Sequence, residues 1–254
     1  YQIVKKKINE YNKKDYIHCK KLYKGDDNQI IYQIVYEYGG TDLWELRNKN
    51  KINFKKLFMN LDNIFDGLDI LQKNKYMHQD IRPPNILLNI KKNISKIIDF
   101  GFLIEMKNYY HKSNEFISYE SNYLYPPEIN KDNFMDFFNL YKNLIIRYQN
   151  NFINNKKKRE QFKNIVLYLY KRNKLYYKYK KTKINLNKFD IYMFGIVLFD
   201  LLIKYNLFNK LGLNNYEYNL ILSFIKNLIN FDIDKRYSVK KAKNEYYKIK
   251  KTLK

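Results

Sequence analysis

Asp80, Asn85 and Asp99 are the residues of this chain whose types and spacing suit chemistry. They lie in Tyr76-Met77-His78-Gln79-Asp80-Ile81-Arg82-Pro83-Pro84-Asn85-Ile86-Leu87-Leu88 and in Ile97-Ile98-Asp99-Phe100-Gly101. If Asn85 and Asp99 converge, their oxygens suit a hard cation such as magnesium carrying phosphate. Asp80 is then left to orient or deprotonate an attacking hydroxyl. Phosphoryl transfer asks for that division of labour, because its chemistry is mostly positioning and charge neutralisation.

Convergence needs a particular local fold. The apolar runs on either side of a polar turn, Asn89 to Asn93, read as a hairpin that brings Asp99 back beside Asn85. Upstream, Asn53 is placed to cap a helix whose apolar residues fall at Phe54, Leu57, Phe58, Leu61, Ile64, Phe65, Leu68 and Leu71, one stripe ending just before the catalytic stretch. Downstream, Asp190-Ile191-Tyr192-Met193-Phe194-Gly195 opens an apolar helix through Ile203, and Asp234-Lys235-Arg236-Tyr237 precedes a last helix. At the front, residues 1–14 read as the end of a helix, with Ile3, Val4 and Ile8 at helical spacing. Tyr16 to Tyr23 and Ile30 to Glu37 read as strands around Gly25-Asp26-Asp27-Asn28.

His78-Gln79-Asp80-Ile81-Arg82-x-x-Asn85 followed by Asp99-Phe100-Gly101 resembles the catalytic loop and metal motif of eukaryotic-type protein kinases. Further landmarks of that family follow in order from residue 36 to the end of the chain. The resemblance implies an α+β fold, mostly the helical large lobe (38–254) plus a small-lobe remnant (1–37) made of the end of helix C and two strands. It makes Tyr36 the gatekeeper, puts Glu37 and Gly39 on the adenine edge, lets Asp42 reach the ribose and packs Leu87 on the adenine face. Asp80 becomes the catalytic base, Asn85 and Asp99 the magnesium ligands, and Arg82 a cation near the transferring phosphate. Ser121 contacts the catalytic Asp in serine/threonine kinases, His78 and Phe100 pack together, and Asp190 holds the catalytic-loop backbone. Pro126-Pro127-Glu128 resembles the Ala-Pro-Glu motif, with Arg236 the buried partner of Glu128, a pair costly to break. ATP and Mg2+ are the implied cofactors and a protein Ser/Thr hydroxyl the implied acceptor.

The sequence departs from that pattern in places. The glycine-rich loop, the strand Lys and its Glu partner would all precede residue 1. Because residue 1 is Tyr and not Met, the chain reads as an excised part of a longer one, and is expected to be inactive alone. Gln79 stands where most regulated kinases have an Arg that pairs with a phosphorylated activation segment, and Arg82 where Lys is usual. Asp200 sits where some kinases read basic substrate residues, with Pro84 replacing the acidic residue that often joins it. A pseudokinase, binding without turnover, is the alternative reading.

Net charge is +24, and half of it lies in an insertion. Residues 131–183 hold 15 Lys or Arg against 3 Asp or Glu, so 15 − 3 = +12, with 12 aromatics interleaved. Such a segment suits single-stranded nucleic acid, an acidic partner, or simply a solvated low-complexity expansion. The single cysteine, Cys19, excludes a disulfide framework and fits an intracellular chain, in cytoplasm or nucleus. Neither a signal peptide nor a membrane span is visible, and no feature speaks to oligomeric state.

Overall fold

The computed structural model describes residues 2–7, 30–35, 38–49, 52–109, 126, 185–207, 209–230 and 232–254. The chain divides into two compact units, Tyr1–Gly39 and Gly40–Lys254. In the first, β1 (Gln2–Lys7) pairs antiparallel with β2 (Ile30–Val35), from Gln2 opposite Val35 to Lys7 opposite Ile30. Over residues 2–7 this corrects the helix expected at 1–14, and residues 8–14 lie outside the described residues. Three apolar positions cannot separate a helical from a strand period, and the β-branched Ile3 and Val4 favour a strand. Tyr16 to Tyr23 lies outside the described residues.

The second unit begins with β3 (Thr41–Asp42) running into α1 (Leu43–Lys49). Asp42 Oδ1 caps that helix by accepting the Glu45 N–H at 2.8 Å. Asn53 likewise caps α2 (Phe54–Phe58) through Lys56 N–H. The long helix expected from Asn53 then breaks, and α3 begins only at Asp62 (Asp62–Lys73). The side chain of Asn60 donates to Lys56 O at 2.8 Å, and Leu61 N–H turns to the Tyr246 hydroxyl at 3.1 Å. A polar side chain competing for a helix carbonyl favours such an ending. The apolar stripe survives the break, because Leu61 and Ile64 are both buried.

Then come β4 (Tyr76–Met77), β5 (Ile86–Asn89), β6 (Ile94–Ile97) and β7 (Ile104–Glu105). β5 is central to a three-stranded antiparallel sheet ordered β3, β5, β6, while β4 pairs with β7. Three helices complete the unit: α4 (Phe189–Leu207), α5 (Asn215–Leu228) and α6 (Val239–Thr252). α4 is apolar nearly all round and buried. α5 opens with a reciprocal capping box between Asn214 and Glu217. An aromatic cluster joins these helices: Phe65 stacks on Tyr246 at 4.4 Å and meets Phe194 edge-on at 5.3 Å. α6 is also tied to α3 by charge, with Lys243 at 3.0 Å from Asp66 and 3.2 Å from Asp69, and Lys250 paired with Asp62. Among the described residues, no helix is long and apolar enough to cross a membrane.

Candidate active site

The hairpin sets the site. Ile86 opposes Ile97 and Asn89 opposes Ile94, and Ile98 N–H donates to Asn85 O at 3.0 Å, so Asn85 sits one residue from Asp99 in register. Pro83 and Pro84 open a 3-10 turn over Pro83–Asn85, where the fixed proline torsion suits the first positions. The turn buries Asn85 and aims it back at Asp80. Asn85 Nδ2 donates to Asp80 Oδ2 at 2.6 Å and to Asp80 O at 2.9 Å. Arg82 Nε lies 3.1 Å from the same Oδ2, as an ion pair without aligned hydrogen-bond geometry. Both side-chain contacts fall on Oδ2, and among the described residues Oδ1 accepts no hydrogen bond.

Asp190, at the start of α4, fixes the loop from beneath. Its Oδ2 accepts His78 N–H at 2.8 Å and its Oδ1 accepts Gln79 N–H at 3.0 Å. Burial pushes this carboxyl above its ordinary range, and the two backbone donors pull back against that shift. The bonds hold Gln79 at φ 65°, a left-handed conformation unusual for a side chain of this size. His78 is fully buried and doubly engaged. Its Nδ1 accepts Asp80 N–H at 3.3 Å, which makes Nε2 the donor to Ile98 O at 3.0 Å. Its ring lies 4.9 Å from that of Phe100. With both nitrogens occupied by backbone groups, the His78 ring ties the loop to the hairpin.

Asp99 is also left-handed, at φ 64° and ψ 71°, and its Oδ1 accepts Gly101 N–H at 3.4 Å. Gln79 Nε2 donates to Phe102 O at 2.8 Å, a second link between the two halves of the site. Asp42 and Leu87 are direct register partners between β3 and β5, so two residues 45 positions apart come together. Gly40 was not singled out in the sequence. At φ +123° it lies so close to β5 that an added Cβ would fall 2.4 Å from Leu88 C, and the Gly39-Gly40 pair was the available signal. Arg236 is buried, donates from Nε to Asn230 O at 2.8 Å and lies over the Tyr192 ring at 4.6 Å. Pro126 is buried. Tyr36, Glu37, Ser121, Glu128 and the insertion at 131–183 lie outside the described residues, and Gly39 belongs to the first unit.

The family model for the protein kinase domain matches residues 6–248. The chain belongs to the protein kinase domain family. It is 33% identical over 120 residues to a "Probable cyclin-dependent serine/threonine-protein kinase" of Dictyostelium discoideum, covering 46% of this chain and 8% of that protein. Against calcium-dependent protein kinase 4 of Plasmodium falciparum it is 35% identical over 97 residues, 34% of this chain and 17% of the relative. A third relative, "Probable serine/threonine-protein kinase yakA" of Dictyostelium discoideum, is 31% identical over 134 residues, 50% of this chain and 9% of the relative. The chain thus spans less than a fifth of each relative's length. The α+β architecture agrees with the family, and it is mostly helical in the described part.

Proposed function

We propose that this chain transfers the γ-phosphate of ATP to a serine or threonine hydroxyl of a protein, with magnesium, and that Asp80 is the catalytic base. The observation that carries the reading is the one-sided anchoring of Asp80. Asn85 and Arg82 hold Oδ2 while Oδ1 has no hydrogen-bond partner among the described residues, which is how a carboxylate is set to receive a hydroxyl proton. Arg82 keeps a cation beside the reacting groups, and Ser121 keeps the role the resemblance gives it. The serine/threonine specificity of the named relatives supports the acceptor class.

The donor set fits magnesium. Asn85 uses its Nδ2 hydrogens on Asp80, which leaves the amide oxygen for a cation, and Asp99 supplies a carboxylate. Two protein oxygens suit an ion that keeps its own waters and binds phosphate oxygens. When bound, magnesium neutralises charge that builds up on the phosphates. Asp42 and Leu87 would meet ribose and adenine, and Tyr36, Glu37 and Gly39 keep their family roles at the adenine. Residues 1–37 are then a part of the small lobe and 38–254 the large lobe.

The test is magnesium-dependent transfer of labelled phosphate from ATP to a serine- or threonine-containing protein, using the full-length protein. Transfer is expected, and Asp80→Asn should abolish it. A protein that binds ATP and transfers nothing is a pseudokinase, and that result overturns the reading.

A further inference from the structure

Away from Asp80, a second charged cluster joins α1 to α4. Arg47 Nη1 forms an ion pair with Asp200, and the Trp44 ring lies under the guanidinium, 4.1 Å from its Cζ. The carboxylate that a basic substrate residue would need is therefore already engaged by the chain itself. Arg47 is not fully satisfied in return. Its side chain is 11% exposed, and Nε has no hydrogen-bond acceptor among the described residues. A guanidinium offers five donors in a planar fork, and a desolvated donor without an acceptor is unfavourable. A carboxylate or phosphate matches that fork, which makes an incoming anion the complementary ligand.

The surroundings favour the same sign. Lys204, one turn beyond Asp200 on α4, has its pKa lowered by burial and then by the charge of Arg47, against an opposing pull from Asp200. Two cations thus act on this corner of the fold with one carboxylate between them. The exposed Trp44 ring sets the plane of Arg47 and lies at the surface. α1, which carries Arg47, packs both on the turn Pro83–Asn85 and on α4, which carries Asp200.

We propose that Arg47, oriented by Trp44 and Asp200, reads an anionic side chain of the protein substrate, a carboxylate or a phosphate, near the acceptor hydroxyl. The proposal rests on the protein-kinase reading above. Its test uses the full-length protein and labelled peptides that share one serine acceptor and differ in flanking residues: glutamate, phosphoserine, lysine or neutral. Binding is followed by fluorescence anisotropy and phosphate transfer separately. The glutamate or phosphoserine peptide should bind about tenfold more tightly than the lysine peptide, the scale of one charge-assisted hydrogen bond. Phosphoserine ahead of glutamate identifies phosphate as the group read, and parity identifies the carboxylate. Arg47→Gln should erase the acidic preference, and Arg47→Lys should restore part of it, since a point charge lacks the fork. Asp200→Asn should keep it. If Arg47→Gln does not fold, Arg47→Lys carries the test, and an undiminished acidic preference there overturns the proposal. A lysine preference lost in Asp200→Asn overturns it as well. Arg47-dependent binding without phosphate transfer sinks the kinase reading and leaves the subsite standing.

Discussion

The catalytic loop and the metal segment, neighbours in the site, are built to different standards. His78, Asp80 and Asn85 are 0%, 5% and 4% exposed; both His78 ring nitrogens meet backbone groups, and Asn85 Nδ2 holds Asp80 Oδ2. Across the hairpin, Phe100 and Phe102 are 49% and 53% exposed, and Asp99 has a single long bond to Gly101 N–H. Among the described residues, the His78–Phe100 ring contact, the His78 Nε2–Ile98 O bond and the Gln79–Phe102 bond tie the second segment to the first, before β7 pairs with β4. The contrast separates two jobs. The group proposed to take the hydroxyl proton is fixed by the fold, while the group proposed for the metal has few constraints among the described residues, as would suit a ligand that completes its shell when nucleotide arrives.

The largest break in this contrast should come from Asp190→Ala. It leaves two buried backbone donors, at His78 and Gln79, without acceptors, so a loss of about 3 kcal/mol in denaturant unfolding is expected. The rigid half then becomes as labile as the other. Gly40→Ala attacks the same half from behind, because its Cβ would collide with the β5 backbone that follows Asn85. A loss of about 2 kcal/mol or more is expected. Gln79→Ala should act on the other half alone. It removes one tie worth about 1 kcal/mol, so amide exchange should quicken from Gly101 to Leu103 while His78 stays protected.

The smallest effect is a pH dependence that leaves the contrast intact. Asp69, on the helix that supports the loop, is held below its ordinary pKa chiefly by its bond to Lys73, with Lys243 assisting and burial opposing. A depressed carboxylate contributes stability that is complete above the unfolded value near 3.8 and is lost as pH falls through the lower folded value. Asp69→Asn should therefore flatten the stability curve at the acid end, and near neutral pH the two segments should keep their difference in exchange rate. A steeper acid loss in the variant would contradict the assignment.

Much of the loop was legible in the sequence because its geometry is local. Five residues from Asp80 to Asn85, two prolines and a polar turn between apolar runs specify the turn and hairpin with little help from the rest of the chain. The apolar helix after Asp190 was legible for a related reason, since residues 189–199 of α4 are all buried and the apolar run that follows Asp190 needs no amphipathic face to be read. Where the outcome depended on distant residues, the sequence said less. β1 is a strand because β2 pairs with it, and the break at Asn60 depends on a tyrosine on α6 that receives Leu61 N–H. Asp200, which the resemblance puts where some kinases read basic substrate residues, pairs with Arg47, 153 positions away, a partner that sequence distance hid. Gly40 was hidden differently, since its need for φ +123° comes from the approach of β5 and not from its neighbours in sequence.

The central claim is best tested by separating nucleotide binding from transfer in one assay on the full-length protein, with Asp80→Asn and Asp99→Asn beside the native form. The account predicts that Asp80→Asn binds ATP and magnesium with unchanged affinity and transfers no phosphate, while Asp99→Asn loses the magnesium dependence of binding. Phosphate transfer by Asp80→Asn at the native rate would contradict it.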